Sequence, residues 1–286
     1  FNIFYYAEKY FDEVCRNLNK KFIILHKESS FTPLEEKGAI NVYKNYNEKS
    51  LSHKISVYSE KQKKILIKSK IANNNQIVVN GCPRSDYAFR LRKIKPEKKI
   101  IVYYMLESYR GSNLTTYKSK INWKKLYNQT LKYLIEYAKN NSNVEVILKG
   151  KTGVHKSNHF SSKFLPKNCT FIDGGTGEKF LKDAKVVIAF NSIVIFEAIA
   201  ANRNLIIPNF NNEKKKKKFY LYKIAIKNCF ANSRIQFKKK IDFYLKTNHQ
   251  NKKLSSTEKK VLDYYLGNTD GKSGNKMRNF LYKNIN

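Results

Sequence analysis

The 286-residue sequence predicts an α/β protein with parallel sheets, divided into two domains. Short apolar runs alternate with amphipathic stretches, the pattern of parallel strands joined by crossover helices. That alternation halts over residues 81–97, where apolar residues thin out from Arg90 to Lys99, and then begins again. The length also leaves room for two domains of about 100–200 residues each.

Residues 1–20 read as an amphipathic helix, with Tyr6, Tyr10, Phe11, Val14 and Leu18 near helical spacing. Residues 21–26 form a short buried strand, followed by a polar loop carrying Lys27, Glu28, Ser29 and Pro33. A strand at 55–58, a Lys-rich helix at 59–72 and a strand at 77–80 come next, the last ended by Gly81 and Pro83. With about three strands and an opening without Met, residues 1–80 are expected to form an incomplete N-terminal α/β domain with exposed apolar surface. Residues 81–97 read as the linker. Five further strands, at 99–104, 144–148, 169–172, 186–190 and 204–208, alternate with helices at 121–139, 176–183 and 192–202. They fill a doubly wound domain over 98–250. Beyond 219 the chain reads as helices broken by Gly267 and Gly271, with 251–286 as a C-terminal tail.

Composition narrows the function. No apolar run approaches the roughly 18 residues of a membrane span, and no secretory leader pattern opens the chain. Cys15, Cys82, Cys169 and Cys229 stand far apart. Without a C-x-x-C pair there is no zinc-ribbon or thioredoxin-type site, and isolated thiols suit a reducing cytoplasm. The net charge of +35 would attract nucleic acid, anionic lipid or anionic substrate. Much of that excess is Lys scattered among Asn, Ile and Tyr, as an AT-rich genome produces, and no nucleic-acid-binding module is recognisable. The run from Lys214 to Lys218 reads as a solvated loop, with contact to an anionic membrane as the alternative.

Three segments carry chemistry. Between Ala184 and Ala201 an apolar strand ends at Asn191-Ser192 and a helix begins. Ser or Asn there caps the first turn, whose free amides favour an anion. Glu197 is the only charged residue between Lys185 and Arg203. A carboxylate in so apolar a helix needs donors, which either a ribose diol or a structural Lys would supply. Asp173-Gly174-Gly175-Thr176-Gly177 lies between a strand and a short helix, placed to turn its amides to a phosphate. Lys149 and Lys151 follow a strand beside Gly150 and Gly153, an arrangement suited to clamping a diphosphate. P-loop spacing is absent. His155 and His159 read as surface residues.

The segment from Asn191-Ser192 through Glu197-Ala198 to Asn204-Leu205-Ile206-Ile207-Pro208 resembles the phosphate-and-ribose segment of GT-B glycosyltransferases. Gly81-Cys82-Pro83-Arg84-Ser85-Asp86 is similar to the G-x-P-R-x-D stretch where the domains of capsule and lipopolysaccharide transferases join. Gly267-Asn268-Thr269-Asp270-Gly271-Lys272-Ser273 is similar to a tail motif of surface carbohydrate biosynthesis proteins. The resemblance spans roughly residues 55–285. It implies a GT-B-like fold of two Rossmann-like domains around a cleft, working in the cytoplasm or at the inner face of the membrane. It also implies a nucleotide-sugar donor and a glycan or lipid-linked glycan acceptor, without a metal or a permanently bound cofactor. Lys149, Lys151, Gly174, Gly175, Thr176, Asn191 and Ser192 would hold the diphosphate and Glu197 the ribose. Arg84, Asp86 and Asp270 would sit between the domains, and Glu28 and His26 are the candidate bases. Two rivals stand beside this expectation: a non-hydrolysing nucleotide-sugar 2-epimerase, and a basic nucleic-acid-binding protein without catalysis.

Overall fold

A computed structural model describes residues 6–26, 33–45, 49–50, 52–105, 123–150, 165–190, 192–210, 226, 229–248 and 252–285. The chain forms two compact units. One combines residues through Tyr87 with those from Lys259 onward, and the other is drawn from Ala88 to Glu258.

The first unit opens with α1 (Tyr6–Asn17), β1 (Ile23–Leu25), α2 (Pro33–Asn45), β2 (Lys54–Val57), α3 (Glu60–Lys68) and β3 (Ile77–Val79). The strands form a parallel sheet in the order β1-β2-β3. Ile24 stands opposite Ile55, and Ile55 opposite Ile77, so the centre of the sheet is one apolar band. Against it pack Ala39 and Tyr43 of α2 and Ile65 and Leu66 of α3. Helix α2 stands where a polar loop was expected. Pro33 opens the helix rather than breaking it, because a first-turn residue needs no amide donor, and Glu35 and Glu36 complement the dipole of that turn. Tyr10, Phe11 and Val14 of α1, and Leu18 just after it, are exposed.

The C-terminal helices α9 (Ser256–Leu266) and α10 (Ser273–Ile285) supply the rest of this unit from Lys259 on. Their attachment uses the two motifs that flank Asp86 and Asn268. Asp86 Oδ1 accepts from Asn268 Nδ2 (2.7 Å) and from the Ser273 amide (3.1 Å), while its Oδ2 accepts from the Gly274 amide (2.7 Å). The carboxylate therefore takes two amides at the start of α10 that the helix itself leaves unpaired. Asn268 is fully buried. Its amide nitrogen also reaches Ser85 Oγ (2.8 Å) and the Cys82 carbonyl (3.2 Å), and its oxygen accepts from the Gly271 amide (2.9 Å). Glycine is required at two points. A Cβ on Gly267 (φ +56°) would lie 1.8 Å from the Tyr58 carbonyl oxygen, and one on Gly81 (φ +79°) would lie 2.1 Å from Ser273 Oγ. A second anchor is Lys61 of α3, which pairs with Glu36 at 3.3 Å and sits over the rings of Tyr264 and Tyr265.

The second unit contains β4 (Ile100–Tyr104), α5 (Trp123–Lys139), β5 (Glu145–Lys149), β6 (Cys169–Ile172), α6 (Glu178–Asp183), β7 (Val186–Ile188), α7 (Val194–Ala200), β8 (Asn204–Pro208), β9 (Phe230–Ala231) and α8 (Arg234–Lys246). All of its strand pairs are parallel. Every residue of β4 and β7 is buried, which is why these strands read as unbroken apolar runs in the sequence. The expected linker holds structure of its own, a 3-10 turn at Pro83–Ser85 and helix α4 (Asp86–Leu91). Beyond it Arg92 donates to the Ile199 and Ala200 carbonyls at the end of α7 (2.9 and 3.1 Å) and pairs with Glu258 at 3.5 Å. No helix of the described residues is long and apolar enough to cross a membrane.

Removing the carboxylate at Asp86 leaves three donors without it, so Asp86→Ala is expected to destabilise the first unit by about 2–4 kcal/mol. Gly267→Ala, which must displace the Tyr58 backbone from a left-handed position, is expected to cost at least about 2 kcal/mol. Urea unfolding of both variants checks this; midpoints indistinguishable from the parent would contradict it.

Candidate functional site

Across the second sheet the strands run β6-β5-β4-β7-β8-β9. Counted from β4, this is the order third, second, first, fourth, fifth, sixth, that of dinucleotide-binding sheets. The chain builds outward from β4 to β6, then returns to the other side of β4 and builds outward again. Between β4 and β7 the connections leave in opposite directions, and a crevice opens at the carboxyl edge.

Turn 173–177 follows β6, at the far edge of the sheet. Its parent strand is not a neighbour of β7, because β5 and β4 stand between them. The connection nevertheless brings the turn back to the crevice. The Tyr104 hydroxyl, at the end of β4, donates to the Gly177 carbonyl at 2.7 Å. A Cβ on Gly177 would come within 3.0 Å of the Tyr104 ring. Gly174 and Gly175 both have left-handed backbones, with φ of 72° and 70°, which bends the chain into a tight turn between β6 and α6. Gly175 faces open space, and Thr176 is exposed. At its other end α6 is fixed by buried Arg203, which donates to the Leu181, Lys182 and Ala201 carbonyls at 2.9 Å each. A cation there also suits the C-terminal end of the helix dipole.

On the other side of the crevice, Ser192 follows β7. Helix α7 begins later than the sequence suggests. Its N-cap is Ile193, which makes no side-chain cap bond, and Ser192 Oγ accepts only a long bond from the Val194 amide at 3.4 Å. Ser192 thus leads into the first turn rather than capping it. Glu197 lies in that turn, 2% exposed, in a helix whose every residue is buried.

Lys149 ends β5 and is 5% exposed. Its ammonium donates to the Gly150 carbonyl. Burial holds its pKa below the ordinary lysine value; Asp173 opposes that shift and Lys179 adds to it. A buried cation, the double-glycine turn and the lead-in to α7 therefore share one edge of one sheet. The sequence did not single out Tyr104, although its position at the end of an apolar run was the available signal.

The remaining expected positions behave differently. Asp86 binds groups inside the first unit, where it holds the start of α10. Asp270 accepts from the Lys272 amide (3.0 Å) and pairs with Lys276 at 3.7 Å on the surface, and Arg84 is exposed. His26 is buried after β1 in the first unit, and its Nδ1 is bonded to the Gln62 amide nitrogen. Gln62 Oε1 accepts from the Tyr58 amide at 3.1 Å, which fixes the Gln62 nitrogen as the donor. This bonding assigns the proton of the neutral His26 ring to Nε2. Glu28, Lys151 and Asn191 lie outside the described residues. Among the described residues no group of three or more His, Cys, Asp or Glu is placed to hold a metal ion.

No family model matches the sequence, and no curated protein matches it. Among solved structures, the chain is similar to the wall teichoic acid polymerase TagF, with 14% identity and a TM-score of 0.53 over 93% of this chain and 68% of that one. It is also similar to a Listeria monocytogenes protein assigned provisionally as a UDP-N-acetylglucosamine 2-epimerase, with 9% identity and a TM-score of 0.53 over 95% of this chain and 70% of that one. With its two parallel sheets, the chain has a GT-B-like α/β fold of two Rossmann-like domains.

Proposed function

We propose that the chain is a glycosyltransferase that moves a sugar from a nucleotide-sugar donor onto a bacterial surface polysaccharide. The observation that carries this is the convergence of turn 173–177 and the start of α7 on the strand-order reversal, with Lys149 buried at the same edge. The amides around Gly174 and Gly175 and those beside Asn191 and Ser192 bind the diphosphate, and Lys149, with Lys151, neutralises it. Glu197 accepts from the ribose hydroxyls. Developing charge on the leaving diphosphate is met by oriented amides and ammonium groups, which need no reorganisation as the bond breaks. His26, carrying its proton on Nε2, acts as a donor, leaving Glu28 to take the proton of the acceptor hydroxyl. A glycan or lipid-linked glycan is the acceptor, and a peripheral position at the inner face of the membrane gives access to it.

The fold is shared by transferases and epimerases, and product analysis separates them. UDP-, GDP-, CDP- and CMP-sugars are screened for thermal stabilisation, and the best is incubated alone and with acceptor. The proposal expects an unchanged sugar nucleotide until acceptor is added. Interconversion of the free sugar nucleotide would replace the transferase with an epimerase.

Two substitutions test the site. Glu197→Gln keeps the size of the side chain and removes its charge, so nucleotide affinity should fall by about 1.5–3 kcal/mol with little change in stability. Unchanged affinity with a lowered unfolding midpoint would make Glu197 purely structural. Lys149→Met should weaken nucleotide binding by a similar amount without lowering stability. Because its pKa is lowered on folding, the folded state holds this proton less tightly, and stability contributed by Lys149 rises with pH up to the ordinary lysine value of 10.5. Unfolding midpoints across that alkaline range should show the rise in the parent and less of it in Lys149→Met.

A further inference from the structure

Helices α5 and α8 lie side by side on one face of the second sheet. Tyr137 of α5 donates its hydroxyl to Asp242 of α8 at 2.7 Å, and Arg234 of α8 pairs with Glu136 of α5 and covers the ring of Tyr133. The two helices carry nine Lys and Arg side chains and two acidic ones. Both acids are occupied at the seam between them, Glu136 by Arg234 and Asp242 by Tyr137 and by Lys238 at 3.8 Å. The outward surface is therefore cationic, with Lys132 and Lys139 exposed on α5 and Lys239 and Lys246 exposed on α8.

On this cationic surface stand two large apolar side chains that the fold does not cover. Ile235 is 67% exposed and Phe243 is 64% exposed. They lie eight residues apart on α8, about 12 Å along its axis. Around that axis Lys239 and Lys246 fall between them, at about 100° per residue. The inward positions Phe237, Ile241 and Leu245 are buried, so α8 has an apolar inner face and an outer face that mixes apolar and cationic groups.

We infer that the outer face of α5 and α8 docks on an anionic bilayer surface, with Ile235 and Phe243 entering the headgroup region. The lysines between them extend their stems along the apolar boundary and place their ammonium groups among the lipid phosphates. A nucleic acid would satisfy the cations and could stack a base on Phe243, but it would leave Ile235 without a partner. The bilayer accounts for both classes of side chain. This inference deepens the peripheral membrane position proposed above by naming its surface, but its observations are the helix surfaces alone, so vesicle binding can fail without touching the transferase assignment.

The test is cosedimentation of the full chain with phosphatidylcholine vesicles that lack or contain about one-third phosphatidylglycerol, beside binding to a single-stranded RNA oligonucleotide. The parent should pellet with the anionic vesicles and not with the neutral ones. The double variant Lys239→Gln/Lys246→Gln should weaken vesicle binding about fivefold for each lysine removed. Ile235→Ser/Phe243→Ser should weaken it about tenfold or more and leave any RNA binding unchanged. All four positions are exposed, so unfolding midpoints should match the parent and show that the variants are folded. Failure of the parent to bind anionic vesicles, or vesicle binding within twofold of the parent for either double variant, would overturn the inference. RNA binding that depends on the lysines, without vesicle binding that depends on Ile235 and Phe243, would reassign the face to nucleic acid.

Discussion

The candidate site depends on one topological constraint: the chain must leave β6 at the edge of its sheet and re-enter beside β4 as β7. A connection that spans β5 and β4 cannot stay at the edge, so α6 is carried across the sheet and its leading turn arrives at the end of β4. The hydrogen bond from Tyr104 to Gly177 is the local expression of that crossing, and Arg203 holds the other end of α6 through the Leu181 and Lys182 carbonyls. The strand order reverses between β4 and β7, and it is at the carboxyl edge of such a reversal that open α/β sheets bind ligands. Position, more than any single side chain, gives this edge its chemistry. The double-glycine turn reaches it through Tyr104, and Lys149, whose pKa burial lowers, ends a strand at the same edge.

The first unit is governed by a different device. Asp86 and Asn268 are separated by most of the chain, yet they bond to one another, and Asp86 satisfies two amides at the start of α10. Close approach of backbone at Gly81 and Gly267 makes this possible, since a Cβ at either position would overlap its neighbours. These contacts explain why short motifs near the middle and the end of the chain go together. They are two halves of one structural joint, and the bonds they make are internal to the unit.

Much of the fold was readable from local pattern. Strands buried on both faces appear as continuous apolar runs, and those at 99–104, 144–148 and 204–208 fell almost where β4, β5 and β8 lie. Helix α2 was obscured by Pro33, which marks a loop in isolation but is harmless in a first turn. The two-residue β9 is too short to leave a periodic signal. The candidate positions were readable as residue types at strand ends, as Lys149 and the turn at Gly174-Gly175 illustrate. Strand order was not, because periodicity says which runs are strands and nothing about which are neighbours. The roles of Gln62 toward His26 and of Asp86 toward α10 were equally hidden, since both pair groups that are distant in sequence.

Hydrogen–deuterium exchange of the full chain, with and without the nucleotide-sugar that stabilises it most, tests the central claim most directly. If the crevice at the strand-order reversal binds the nucleotide, amides at 174–178 and 192–197 should exchange more slowly in its presence. The Ser273 and Gly274 amides, already held by Asp86 in the first unit, should be unaffected. Protection that bypasses both 174–178 and 192–197 while appearing elsewhere would contradict the assignment of this edge as the donor site.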